Sequence, residues 1–313
     1  MATKLLLDAA VKVYRECCQA SSIVSAYIGC DKGSYFNVSS ICSQRDLERS
    51  ENVKFERNYT VLHKDGKVEN VFINGAPNEL NSVLRSKTSP SGKFTAVIRK
   101  ITLKKGEDKH YVEVWDSNHK IQNIDVFALE KHGSVYEDDQ FGCLEWSSDE
   151  KKLLYVAEKK LPKTSSFFDK KVKDNNKDET VPGNQFVFHG DWGEQLVSKS
   201  FPVLCILDLE SEEVTILESI PHDISPGQAI WSNGDKCVIF VGWWHEPYRL
   251  GIIYCTNRRS AIFCVNLETK KCEMISDDCN AVRSPRLSPD QTQLVYLKNQ
   301  YLGPHMQCSS LLK

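Results

Sequence analysis

Trp146 and the polar segment Ser147-Ser148-Asp149-Glu150-Lys151 run into the apolar stretch Leu153-Leu154-Tyr155-Val156-Ala157. A short polar segment before an apolar stretch of this length marks a turn that opens a strand. The arrangement recurs as Ser89-Pro90-Ser91-Gly92-Lys93 before residues 94–98, as Ser232-Asn233-Gly234-Asp235-Lys236 before residues 238–242, and as Ser288-Pro289-Asp290-Gln291-Thr292 before residues 294–297. Trp231 and Leu287 stand where Trp146 does. The four serines are 58, 85 and 56 residues apart. The longest interval holds a charged stretch at residues 158–185, and removing about 27 residues restores a period of about 58. That is at the upper end of the periods shown by repeat architectures.

A second hairpin follows within each period. Tyr111-Val112-Glu113-Val114-Trp115 leads into Asp116-Ser117-Asn118; residues 203–209 lead into Glu210-Ser211-Glu212-Glu213; residues 261–267 lead into Glu268-Thr269-Lys270-Lys271. Each period therefore predicts four antiparallel strands, which is one propeller blade. Upstream, Lys64-Asp65-Gly66-Lys67 between two apolar-rich runs predicts a hairpin and hence a further partial blade. Before it, the spacing of Leu6, Ala10, Val13 and Cys17 predicts an amphipathic helix over residues 4–20, with Thr3 as N-cap. The expected fold is all-β, an incomplete propeller of about four to five blades with a short N-terminal helix.

Strand direction alternates within a blade, so the serine turns should lie at one end of the sheets and the connections between second and third strands at the other. Those connections, residues 104–109, 158–199 and 243–259, hold the unusual sequence, and long loops gathered on one face are a common position for a binding surface. Residues 158–185 read as a solvated loop rich in lysine and aspartate. Trp243, Trp244, His245, Glu246 and Arg249 either line a site or pore or form a packed corner around a satisfied histidine. Arg258 and Arg259 are candidates for carboxylate recognition or for surface ion pairs.

With 313 residues, 41% of them apolar, the chain buries a sizeable core. A net charge of −2 and a pI near 6.5 give no electrostatic reason to expect nucleic acid or an anionic membrane as partner. No apolar window is long enough to span a bilayer, and Asp8 cuts the Leu5-Leu6-Leu7 run too short for a secretory signal. The 12 cysteines are scattered, several within apolar strands, with no C-x-x-C pair or zinc spacing, as expected for reduced, buried cysteine in a cytosolic protein. There is no G-x-S-x-G, Walker A loop, H-E-x-x-H or strand-linked G-x-G-x-x-G. No cofactor, metal or catalytic residue is therefore expected.

Residues Glu130-Lys131-His132-Gly133-Ser134-Val135-Tyr136-Glu137-Asp138-Asp139 and Val197-Ser198-Lys199-Ser200-Phe201-Pro202-Val203-Leu204-Cys205 resemble acylaminoacyl-peptidases. So do Ser225-Pro226-Gly227-Gln228-Ala229 and residues 242–249, 255–261 and 284–290. The resemblance covers nearly the whole chain and points to the acylamino-acid-releasing enzymes, cytosolic serine peptidases of the prolyl oligopeptidase clan. It implies a propeller stacked on a C-terminal α/β-hydrolase domain that carries the Ser, Asp and His. It also implies release of N-acylated, typically N-acetylated, amino acids from short peptides, with the propeller restricting access and contributing to oligomer contacts. On this resemblance residues 1–22 form the helix and residues 23–313 a partial propeller, with no counterpart of the hydrolase domain. The chain alone should be inactive. Its implied partners are N-acylated peptides, by way of the full-length enzyme, and further copies of itself in a homo-oligomer; its implied location is the cytoplasm. The competing reading is a non-catalytic β-propeller interaction module.

Overall fold

The computed structural model describes residues 2–29, 31–103, 106, 108–168 and 180–313. Helix α1 (Ala2–Cys18) precedes five antiparallel sheets of the propeller-blade type. The helix begins before Thr3, which therefore lies in its first turn and is not the N-cap. The chain divides into two compact units, Met1–Val83 with Pro90–Lys93, and Leu84–Ser89 with Phe94–Lys313.

In the first unit, β1 (Ser22–Ile28), β2 (Tyr35–Asp46), β3 (Glu51–Lys64) and β4 (Lys67–Ile73) lie side by side in chain order, and β5 (Asn78–Glu79) also pairs with β3. The expected hairpin joins β3 to β4 through Asp65 and Gly66, at φ +47° and +74°. Two consecutive positive φ values make the tight turn whose twist matches that of the flanking strands. Every residue of β1 and β4 is exposed, including Ile23, Ile28, Val68 and Ile73.

Among the described residues the second unit holds four antiparallel sheets. Strands β6 (Val83–Thr88), β7 (Thr95–Thr102), β8 (Asp108–Trp115) and β9 (Lys120–Asp125) form one. The next contains β10 (His132–Val135), β11 (Leu144–Trp146) and β12 (Lys152–Lys159), then β13 (Lys163–Ser165) and β14 (Thr180–Pro182) as a separate parallel pair, then β15 (Pro202–Asp208) and β16 (Val214–Ile216). It has five strands, not four, because β10 and β11 both pair with β12, separated by a segment that sinks Tyr136 and Phe141 into the core. Strands β17 (Ile224–Ser232), β18 (Cys237–Trp244), β19 (Ser260–Asn266) and β20 (Cys272–Met274) form the fourth sheet; β21 (Asn280–Leu287), β22 (Leu294–Gln300) and β23 (Ser310–Leu312) form a three-stranded fifth.

Sandwiching explains why the middle strands read as continuous apolar runs rather than alternating ones. On β12, Leu153, Tyr155 and Ala157 face a core shared with Ala96, Ile98, Val112 and Val114 of the second sheet. Leu154 and Val156 face the opposite core, with Phe240, Val241 and Ile262 of the fourth. Burying each such aliphatic side chain contributes about 1.5–3 kcal/mol. Gly227 lies where a side chain has no room, since a Cβ there would sit 2.6 Å from Cα of Phe141. The described cysteines form no disulfide, and burial pushes the Cys143 thiol up to about 12.

The four serine turns share one construction. The residue three places after each serine, Gly92, Glu150, Asp235 or Gln291, has φ between +57° and +76°. In three turns the serine amide donates to the carbonyl five residues on, and that residue's amide donates back to the serine Oγ, at 2.9–3.2 Å. Neighbouring turns also meet: Ser148 donates its amide to Asp235 at 2.7 Å, and the Gly234 amide donates to Gln291 at 3.1 Å. The preceding tryptophans form a further repeat. Trp146 Nε1 donates to the Lys87 carbonyl at 2.8 Å, and Trp231 Nε1 to the Glu145 carbonyl at 3.1 Å.

Candidate functional site

At the other end of the sheets stand the connections between second and third strands. The β18–β19 pairing runs from Cys237↔Asn266 to Trp243↔Ser260, so residues 245–259 leave from the end opposite Ser232. The β12–β15 pairing likewise places Glu158↔Pro202 opposite the Ser147 turn. The expected separation of serine turns from long connections therefore holds in these two sheets.

The two long connections meet. Arg249 donates to the Ser200 carbonyl at 3.0 Å and sits 5.0 Å over the Phe201 ring. Glu194 accepts from the amides of Ile253 and Tyr254 at 2.8 and 3.3 Å. Glu158 accepts from the amides of Ser200 and Phe201 at 3.1 and 2.9 Å, and from the buried Tyr136 hydroxyl at 2.5 Å. Burial first, and then the Glu158 charge, push the Tyr136 phenol far above its ordinary range. Glu158 is thus no part of a solvated loop. Of the rest of that stretch, residues 163–165 and 180–182 form the β13–β14 pair and residues 184–186 a single 3-10 turn, and residues 169–179 lie outside the described residues.

Each predicted site residue has a definite place. Trp243 is buried in the core, edge-on to Phe141 at 5.1 Å. Trp244 carries the Arg259 guanidinium 4.0 Å over its ring, and Arg259 also grips Asp278 through two bonds of 2.9 and 2.6 Å. His245 is buried, its Nδ1 2.9 Å from Ser225 Oγ. Glu246 is exposed. Arg258 donates to the Gly251 carbonyl at 2.8 Å. Two groups form: His245 and Arg249 about Phe201, whose ring is edge-on to His245 at 6.4 Å, and Trp244 with Arg259. Trp243 and Arg258 join neither through these contacts.

A pocket of about 420 Å³ opens beside the first group. Ser225, His245 and Phe201 line it, with Ile216, Leu217, Ile220 and Ile224 as aliphatic wall and Lys131, Lys159 and Lys160 at its margin. Ser225, Phe201 and the lysines were not marked as site residues by sequence reasoning, because no local pattern joins them. The Ser225–His245 pair resembles half of a nucleophilic relay, but among the described residues no carboxylate hydrogen-bonds the His245 ring to orient it. Burial, and then the Arg249 charge, hold its pKa below the ordinary histidine range, so the ring is a weak base. Among the described residues no group of His, Cys, Asp and Glu has the arrangement of a metal site, and no helix is long and apolar enough to cross a membrane.

Residues 3–302 match the family model described as acylamino-acid-releasing enzyme, N-terminal domain. The acylamino-acid-releasing enzyme of Mus musculus is 50% identical over 321 residues, covering 96% of this chain and 44% of that protein. The Homo sapiens protein of the same name is 49% identical over 323 residues, covering 97% of this chain and 44% of its own length. A solved structure of Pyrococcus horikoshii acylaminoacyl peptidase aligns with 94% of this chain and 38% of its own at 14% identity and a TM-score of 0.48. The chain thus spans less than half the length of the curated relatives it matches.

Proposed function

The chain belongs to the acylamino-acid-releasing enzyme N-terminal domain family, and on that premise we propose that it serves as the propeller portion of a serine peptidase that frees N-acylated amino acids from short peptides. In this reading residues 1–22 are an N-terminal helix and residues 23–313 a propeller region. The region restricts access to small peptides and takes part in assembly, while the nucleophile comes from outside these residues. The observation that carries the reading is the match over residues 3–302, supported by 50% identity to a named acylamino-acid-releasing enzyme. The unoriented Ser225–His245 pair supports a non-catalytic role for this portion. The exposed apolar residues of β1 and β4 support self-association, since unpartnered strand surfaces favour pairing with another chain. The peptidase works in the cytosol.

The test is a fluorophosphonate probe together with an acetylated amino-acid amide, applied to the purified 313-residue chain. The expected result is no covalent label and no hydrolysis. Stoichiometric labelling, above all labelling lost in Ser225→Ala, overturns the assignment of catalysis to residues outside this chain.

A further inference from the structure

The pocket beside His245 has a charge distribution that its surroundings do not complete. The β10–β12 register sets His132 opposite Lys159, which gathers Lys131, Lys159 and Lys160 at the connection end of this strand pair. Like charges gathered across a strand pair are destabilising unless an anion joins them. Lys160 has such a partner in Glu130, at 2.9 Å. Among the described residues Lys131 and Lys159 make no ion pair, and Glu218, which also lines the pocket, pairs with neither. The wall below is aliphatic: Val203, Ile216, Leu217 and Ile220. An apolar cavity of about 420 Å³ falls within the size of small-molecule sites, where a few placed polar groups set orientation.

We infer that this pocket binds a small monocarboxylate with an apolar body, the carboxylate meeting Lys131 and Lys159 and the body lying along Val203, Ile216, Leu217 and Ile220. Lysine is a compact point charge rather than a planar fork, so the site recognises a single anionic head. The aliphatic wall selects against small hydrophilic anions, which gain nothing from it. The inference stands apart from the peptidase reading and holds whether or not that reading survives.

The probe is octanoate, titrated calorimetrically into the full chain below its micellar concentration, with octanol and acetate as comparisons. Octanoate is expected to bind about tenfold more tightly than either, with the advantage over octanol shrinking as salt screens the exposed lysines. The K131E/K159E chain should lose about tenfold in octanoate affinity while binding octanol as before. Ile220→Trp, which fills the cavity, should abolish binding of both. Absence of octanoate binding, equal affinity for octanol, or an unchanged affinity in the folded K131E/K159E chain each overturns the site. Should that variant fail to fold, the octanol and salt comparisons on the unaltered chain still decide.

Discussion

The two ends of the second unit's sheets are held by different kinds of bond. At the serine-turn end the hydrogen bonds close within five residues and repeat from sheet to sheet, as at Ser89, Ser147 and Ser288. The second hairpins at this end repeat as well: Asp116, Asp208 and Asn266 each accept from the amides two and three residues on. At the connection end each bond is unique and joins distant segments, as Glu158 joins Ser200 and Phe201, Arg249 joins Ser200, and Glu194 joins Ile253. A fold can therefore announce one end of its sheets through sequence periodicity and leave the other end silent.

Glu158→Ala breaks the comparison at its strongest point. It strands the Tyr136 hydroxyl and the amides of Ser200 and Phe201 without their acceptor. Each buried donor left unpaired costs about 1–3 kcal/mol, and with relaxation the expected total is about 2–4 kcal/mol. Urea unfolding measures it, and a loss under about 1 kcal/mol means that this carboxylate does not hold the connection end. Arg249→Ala bears on the same Ser200–Phe201 segment, so the double variant should deviate from additivity by at least about 0.5 kcal/mol.

Ser147→Ala removes two local bonds, that from the Lys152 amide to Oγ and that from Oγ to Asp149, and should cost about 1–2 kcal/mol. Ser288→Ala should cost a similar amount. These turns stabilise separately, so the two losses should add within about 0.5 kcal/mol. Strong coupling between them would make the turn end as cooperative as the connection end and erase the contrast.

The gentlest test is pH. His110, His132 and His245 all sit toward the connection end, and burial is the main cause holding each below the ordinary histidine range; Lys100 and His132 add to it for His110, and Arg249 for His245. The unfolded chain takes up these protons near pH 6.5, the folded chain only at lower pH. The unfolded state thus binds more protons across that interval, and stability falls as pH drops below about 6.5. At the turn end the sign is the same but the window is lower. Asp149 is held below the carboxylate range chiefly by Ser147, and Asp208 chiefly by the Ser211 amide; their contribution is lost only as pH falls below about 4. Thermal midpoints from pH 8 to 3 should show two descending steps. His132→Gln should shrink the upper step and leave the lower one, and a chain whose stability rises between pH 7 and 5 would contradict the assignment.

The cluster around His245 shows where sequence reading ran out. Trp243-Trp244-His245 announces a corner rich in large side chains, and the two open possibilities were a pore lining and a packed corner. The structure sends Trp243 into the core, stacks Trp244 under Arg259, and pairs His245 with Ser225. Ser225 lies 20 residues upstream, on a strand whose register shifts after Gly227, where the Gln228 amide donates to the Phe141 carbonyl. None of these partners stands at a helical or strand spacing from the others, so no periodicity links them.

What the chain determines by itself is what short-range physics writes into adjacent residues. A serine followed by polar residues that accept a left-handed φ makes a turn, an apolar run makes a strand buried on both faces, and the repetition of the pair makes a blade. What only the tertiary structure decides is which carboxylate, guanidinium or aromatic ring closes the connection end, and where three lysines and an aliphatic wall come to border one pocket. Those groups meet because paired strands and neighbouring sheets bring together segments separated by 40 or more residues. Burial and pairing at that range depend on the partner surface, which no local pattern of residues specifies.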